Sequence, residues 1–174
     1  MVILETERLY LRHFTLDDVE HLLPIFSDPE VMRFYPATKD RTATEGWIRW
    51  SLDSYQQHGI GLWAVILKQG QVFLGDCGLT IQAIEGRAEV EIGYHIRRDH
   101  WSQGFATEAA RACRDYAFKA VDVPRVVSLV RPDNVASRRV AAKIHSHLRE
   151  VFWEKVGFAV CMYWTERANV VAQR

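Results

Sequence analysis

Residues 89–118 read EVEIGYHIRRDHWSQGFATEAARACRDYAF. Val90, Ile92, Tyr94 and Ile96 alternate with polar residues, the period of a strand with one buried face. A short polar turn leads into Gln103-Gly104-Phe105-Ala106-Thr107, and an alanine-rich helix begins at once, expected over Ala106–Val121. A strand that empties into small residues at a helix N-terminus forms an anion cradle. The first N–H groups of the helix lack intrahelical partners, and the helix dipole adds positive potential. Gly104 has no Cβ and Ala106 only a methyl group, so the backbone can approach an anion closely. The natural guest is a pyrophosphate, which points to a phosphate-bearing cofactor.

Outward from this stretch, residues 3–14 alternate apolar and polar and read as an opening strand. Thr15 and the acidic pair Asp17–Asp18 start a helix through Val19, Leu22, Leu23 and Phe26, which Ser27-Asp28-Pro29 stops; the Asp-Pro pair suits the start of a short further helix. Thr42 or Thr44 caps a second helix that Gly59–Gly61 ends. Leu62–Lys68 and Val72–Thr80 form a hairpin around Gln69-Gly70-Gln71, and Arg87–Ile96 is the next strand. Beyond the alanine-rich helix follow a strand Arg125–Val130, a helix Asn134–Ile144 and a closing hairpin, Leu148–Glu154 with Phe158–Glu166. The order β-α-α-β-β-β-α-β-α-β-β implies an α/β (α+β) fold with a mixed, largely antiparallel twisted sheet flanked by helices. No linker or repeat interrupts the 174 residues, which fit a single domain over residues 1–174.

Lys plus Arg and Asp plus Glu both number 22, so no charge excess advertises nucleic acid or a membrane surface. Residues 1–87 hold 8 basic and 12 acidic side chains and residues 88–174 hold 14 and 10, so the positive half carries the cradle. Cys77, Cys113 and Cys161 are widely spaced and odd in number, which argues against a disulfide framework and for a reducing, cytoplasmic setting. No apolar run reaches membrane-spanning length. His95, His100, His145 and His147 lack metal-ligand spacing, so no metal site is expected.

Three motifs in order resemble the GNAT superfamily of acyl-CoA-dependent N-acetyltransferases: residues 4–35, the segment EIGYHI with WSQGFATEA, and Asn134-Val-Ala-Ser137 with Lys143. The branch most resembled includes the ribosomal-protein-alanine N-terminal acetyltransferases and many small-amine acetyltransferases. The resemblance implies acetyl-CoA as acetyl donor, lying along Tyr94, His95 and Ile96 and on Ser102, Gln103, Gly104, Phe105, Ala106 and Thr107, with Asn134 touching the pantetheine arm. It implies an amine acceptor (a protein N-terminus, a polyamine, an amino acid or an aminoglycoside) and a monomer or homodimer. Where related loops begin with arginine, Trp101-Ser102 stand here, with Arg97 and Arg98 near enough to lend charge.

An amine of pKa about 8–10 must lose a proton before it attacks a thioester. By the resemblance Glu91 is the candidate base, and Glu89, on the same face by period two, is the alternative. Ser137 matches the residue assigned as proton donor in the resembled branch; the tyrosine that many superfamily members use falls at Ala141. Trp47, Trp50, Tyr55, Phe34 and Tyr35 belong to the two early helices expected to wall the acceptor side. Ala141 and the turn Ile144-His145-Ser146 motivate an alternative, a non-catalytic acyl-CoA-binding module.

Overall fold

The computed structural model describes residues 1–167. Eight strands form one sheet in the order β1-β2-β3-β4-β5-β6-β8-β7. They are β1 (Val2–Glu5), β2 (Leu9–Arg12), β3 (Leu62–Leu67), β4 (Val72–Ile84), β5 (Arg87–Ile96), β6 (Arg125–Val130), β7 (His147–Trp153) and β8 (Phe158–Glu166). All neighbours are antiparallel except β5 and β6, which run parallel across the connection through α3 (Phe105–Tyr116). α1 (Val19–Phe26) and α2 (Arg41–His58) follow β2, and α4 (Val135–Ile144) follows β6. This is the mixed, mainly antiparallel α/β architecture expected from the sequence.

Alternation along each strand sorts two cores. Leu79, Ile92 and Ile96 join Leu9, Leu11 and Val65 under α3, where Ala109, Ala110 and Cys113 are fully buried. These small side chains let the helix lie close to the sheet. On the other face Leu62, Ala64, Ile66 and Phe73 meet Leu22, Ile25, Phe26 and Ile48 of α1 and α2. Leu22 and Phe26 are wholly buried, each contributing about 1.5–3 kcal/mol by loss of apolar surface to water.

Several local expectations are corrected. The opening strand is a hairpin: the Thr6 N–H donates to the Leu9 carbonyl (2.9 Å) and the Leu9 N–H to Thr6 Oγ1 (3.0 Å), folding the chain back between β1 and β2. Asp40, rather than Thr42 or Thr44, caps α2 by accepting from the Ala43 N–H (2.8 Å). Asp28 Oδ1 accepts from the Glu30 N–H (2.8 Å) in a turn, and no helix begins at Pro29. Phe34 and Tyr35 therefore lie between the two early helices rather than in them. α3 ends at Tyr116 and continues as a wider turn over Ala117–Val121.

Candidate active site

Trp101 Nε1 donates to the Ile96 carbonyl (2.6 Å), turning the chain back over the end of β5. Ser102 (φ 61°) and Gly104 (φ 83°) are both left-handed, which turns neighbouring N–H groups to one side. A non-glycine residue in this region is strained and marks a built feature. The N–H groups of Phe105, Ala106 and Thr107 open α3 and lack intrahelical acceptors. Among the described residues, none from Ser102 to Thr107 donates to another main-chain carbonyl. The residues expected to cradle a diphosphate are thus together, their N–H groups unspent.

The cradle also has a guanidinium that no local pattern announces. Arg8, at the β1–β2 turn, donates through Nη1 to the Gln103 carbonyl (3.0 Å) and through Nε to Glu108 (2.7 Å), and lies 4.4 Å over the Phe105 ring. Glu108 also accepts from Thr6 Oγ1 and from the Arg8 N–H (3.0 Å), clamping α3 to the first hairpin. The charge expected from Arg97 is held by Asp99 at 2.7 and 2.8 Å.

β5 and β6 are in register only at Glu91–Val127 and then part. The Arg97 N–H donates to the Leu74 carbonyl of β4 (2.8 Å), so ladder alternation directs the N–H groups of Tyr94 and Ile96 toward β6, into the divergence. That cleft leads from the cradle toward Glu91 and suits a pantetheine arm. Its closed end is fastened by side chains: Ser128 Oγ donates to the Ile92 carbonyl (3.1 Å), leaving the same oxygen to accept from His145 Nε2 (3.0 Å). His145, which made the 144–146 turn look unusual, therefore locks α4 to β6.

Burial, with Arg114 adding repulsion, holds His145 down at about 3. The folded chain thus binds fewer protons than the unfolded chain between the usual imidazole value and that figure, so acid destabilises it. Lowering the pH from 7 to 4 is expected to cost up to about 3 kcal/mol through this residue, at 1.36 kcal/mol per pH unit below ~6.5. Denaturant melts of the parent and of His145→Gln check this, with the variant losing less stability over that interval.

At the divergence two sets of groups face each other across the sheet. Glu91, half-buried on β5, accepts from Thr80 Oγ1 (3.1 Å). Burial raises its carboxyl above the ordinary range, outweighing the opposing hydrogen bonds from Thr80, Gln82 and the Leu129 N–H and the charge of Lys155. Glu89 is instead consumed in a bidentate pair with Arg125, one contact being Nε to Oε2 at 2.8 Å. The structure thus separates the two candidate carboxylates. On the other face Tyr94 Oη donates to the Ser137 carbonyl (3.0 Å) and lies 2.8 Å from Ser137 Oγ, which is left to donate in return. Asn134 Oδ1 accepts from the Ser137 N–H (3.1 Å) and so caps α4. Ala141 is fully buried against Val130, Cys161 and Tyr163, where a phenol would not fit. The tyrosine at this site comes from β5.

His95 was expected beside the cofactor through its place in β5, but its side chain points to the α1–α2 face. Nδ1 is 2.7 Å from Asp76, and the ring meets Phe26, Tyr35 and Trp47. Trp50 packs on Trp47 at 5.4 Å, while Tyr55 donates to the Leu62 carbonyl and stacks on His13. A cavity of about 620 Å³ lies between α1 and residues 97–99, lined in part by His21, Phe73 and Arg98. Glu91, Tyr94 and Ser137 do not line it. Among the described residues, no three His, Cys, Asp or Glu side chains are grouped as a metal would need. Nor is any helix among them long and apolar enough to cross a membrane.

Comparison with known proteins identifies the family. YkkB of Bacillus subtilis, described as an uncharacterized protein, is 39% identical over 155 residues, covering 87% of this chain and 90% of its own. The uncharacterized N-acetyltransferase p20 of Bacillus licheniformis is 35% identical over 140 residues, covering 79% and 78%. The crystal structure of an acetyltransferase from Agrobacterium tumefaciens superposes with a TM-score of 0.82 at 27% identity, covering 94% of each chain. The family model for the acetyltransferase (GNAT) domain matches residues 8–147, which span the cradle, the diverging strands and the Tyr94–Ser137 pair, and the chain belongs to that family: it is an N-acetyltransferase that uses acetyl-CoA as donor.

Proposed function

We propose that this protein acetylates a primary amine by direct attack within a ternary complex. The observation that carries the reading is the divergence of β5 and β6, with a carboxylate of raised pKa on one face and a paired phenol and hydroxyl on the other. Acetyl-CoA supplies an activated acyl carbon and a thiolate leaving group. Glu91, directly or through water, takes a proton from the bound ammonium, and the neutral amine attacks. N–H groups of Tyr94 and Ile96 are directed to where carbonyl charge develops, an oxyanion-type stabilisation that side-chain substitution would not reveal. Ser137 Oγ turns its proton from Tyr94 Oη to the departing sulfur, and Tyr94 Oη turns its own proton from the Ser137 carbonyl to Ser137 Oγ, the phenol regaining a proton from solvent. Ser102–Thr107 hold the diphosphate, Arg8 bracing the loop through the Gln103 carbonyl, and Asn134 lies beside the pantetheine path.

The acceptor, whether a protein N-terminus or a small amine, meets the chain from the α1–α2 face. The three cysteines, all unpaired and buried, support the cytoplasm as the setting. A single domain acting as monomer or homodimer, without nucleic acid or membrane, is sufficient for this chemistry. The binding-module alternative loses its motive, because Ala141 and His145 both have packing explanations.

Free-thiol release with acetyl-CoA and a panel of amines tests the reading. Double-reciprocal plots that intersect are expected; parallel lines or an isolable acetyl-enzyme would replace direct attack by a two-step transfer. Ser137→Ala is expected to lower kcat about 100-fold while coenzyme A affinity is unchanged. Full kcat in that variant would remove Ser137 as the donor.

A further inference from the structure

The face of β5 opposite the cofactor helix holds a histidine with one nitrogen unaccounted for. His95 is 7% exposed. Its Nδ1 lies 2.7 Å from Oδ1 of the fully buried Asp76, whose Oδ2 accepts from Trp47 Nε1 (2.8 Å). The contact engages Nδ1 with the carboxylate and turns Nε2 away from it. Among the described residues, the buried Nε2 has no hydrogen-bond partner. A polar atom buried without a partner is costly.

The surroundings select what that nitrogen would bind. Phe26, Tyr35 and Trp47 stand with ring centroids 5.0, 5.0 and 5.7 Å from the imidazole. Both ring N–H groups of this cluster, on Trp47 and His95, are spent on Asp76. An ammonium is already held at its edge, since Lys39 Nζ lies 5.1 Å from the Trp47 centroid and 6.0 Å from that of Phe26. Glu91 and His95 share one face of β5, roughly 13 Å apart at 3.3 Å per residue, so an amine proton would pass from His95 to Glu91 through water. Gly93 between them leaves that face bare: a Cβ there would meet only Leu62 Cδ2, at 3.7 Å. Aromatic rings, two carboxylates and a ring nitrogen suit a cation with N–H donors and an apolar arm.

We propose that His95, oriented by Asp76, is the acceptor-recognition residue, whose Nε2 takes a hydrogen bond from a primary ammonium carried on an apolar or aromatic arm with no neighbouring carboxylate. Tyr35, part-exposed on the segment between α1 and α2, covers the imidazole and yields to the entering arm. Asp76 is a positioning residue, fixing the tautomer. This inference rests on the reading of the chain as an amine acetyltransferase and deepens it.

The test uses the full chain saturated with coenzyme A, labelled with ¹⁵N-histidine and titrated with 2-phenylethylamine. The unprotonated Nε2 resonance of His95 is expected to move upfield as it accepts an N–H, while the His145 resonances stay in place. In parallel, His95→Phe is expected to raise the KM for 2-phenylethylamine at least tenfold with the KM for acetyl-CoA unchanged. Asp76→Asn, which permits the other tautomer, is expected to do the same. A merely structural role would move the melting temperature or both KM values and leave the Nε2 resonance insensitive to amine. An unmoved resonance at saturating amine, or an unchanged amine KM in His95→Phe, overturns the proposal. A trialanine peptide that matches 2-phenylethylamine in both readouts overturns the assigned arm. The titration needs no turnover, so absence of acetyl transfer would count against the enzymatic reading alone.

Discussion

Gly104→Val is expected to weaken coenzyme A binding at least 100-fold while the sheet stays folded. Gly104 sits at φ 83°, where an L-residue costs about 1–2 kcal/mol and a β-branched one more. A Cβ built there lies 3.4 Å from Arg8 Nη2, so valine crowds the guanidinium beside the cradle. The backbone can relieve the strain only by rotating, which turns N–H groups away from the anion. Charge-assisted hydrogen bonds are worth about 1.5–3 kcal/mol each, so two lost donors suffice for the stated factor. Titration calorimetry with coenzyme A reads the loss, and circular dichroism reports the fold. Binding heat equal to that of the parent would show that the diphosphate is held elsewhere, and the site would have to be redrawn.

Glu91→Gln is expected to lower kcat about 100-fold with coenzyme A affinity unchanged. In the parent the rate should rise with pH through the raised carboxyl value and level off above it, because the base must be ionised. The variant should lose that limb. The same shift carries a stability sign. The folded chain holds this proton more tightly than the unfolded chain, so stability is fully present below the ordinary carboxylate range. It is lost as pH rises through the raised value. Glutamine stays neutral, so the variant should melt no lower than the parent at neutral pH, although it is less active. A parent profile with no such limb, together with an unaffected variant, would hand proton removal to water.

Much of this was legible in the chain because it is local. Arg87–Ile96, Arg125–Val130 and Phe158–Glu166 can be read to the residue, since two-residue alternation stops there at turn residues. The cradle was legible because a strand, small residues and a helix follow one another without interruption. The hairpin at Thr6–Leu9 was not, because alternation continues across it and only a side-chain hydroxyl marks the bend. Asp40 was hidden by two threonines that are equally good caps. The carboxylates Glu89 and Glu91 are equivalent by period; only Arg125, 36 residues further on, separates them. Arg8 beside the cradle and Asp76 beneath His95 are tertiary pairings, 100 and 19 residues apart, and no window of sequence encodes them.

The tie from Thr6 and Arg8 to Glu108 has a consequence for how binding competence arises during synthesis. The loop proposed to grip the donor lies wholly in the second half of the chain, yet the cation steadying it is made first, about a hundred residues earlier. A fragment beginning at residue 88 would keep the loop and the helix after it but lose Thr6 and Arg8, and is expected to show no heat with coenzyme A in titration calorimetry. On that reading donor capture would await the docking of the first hairpin on α3.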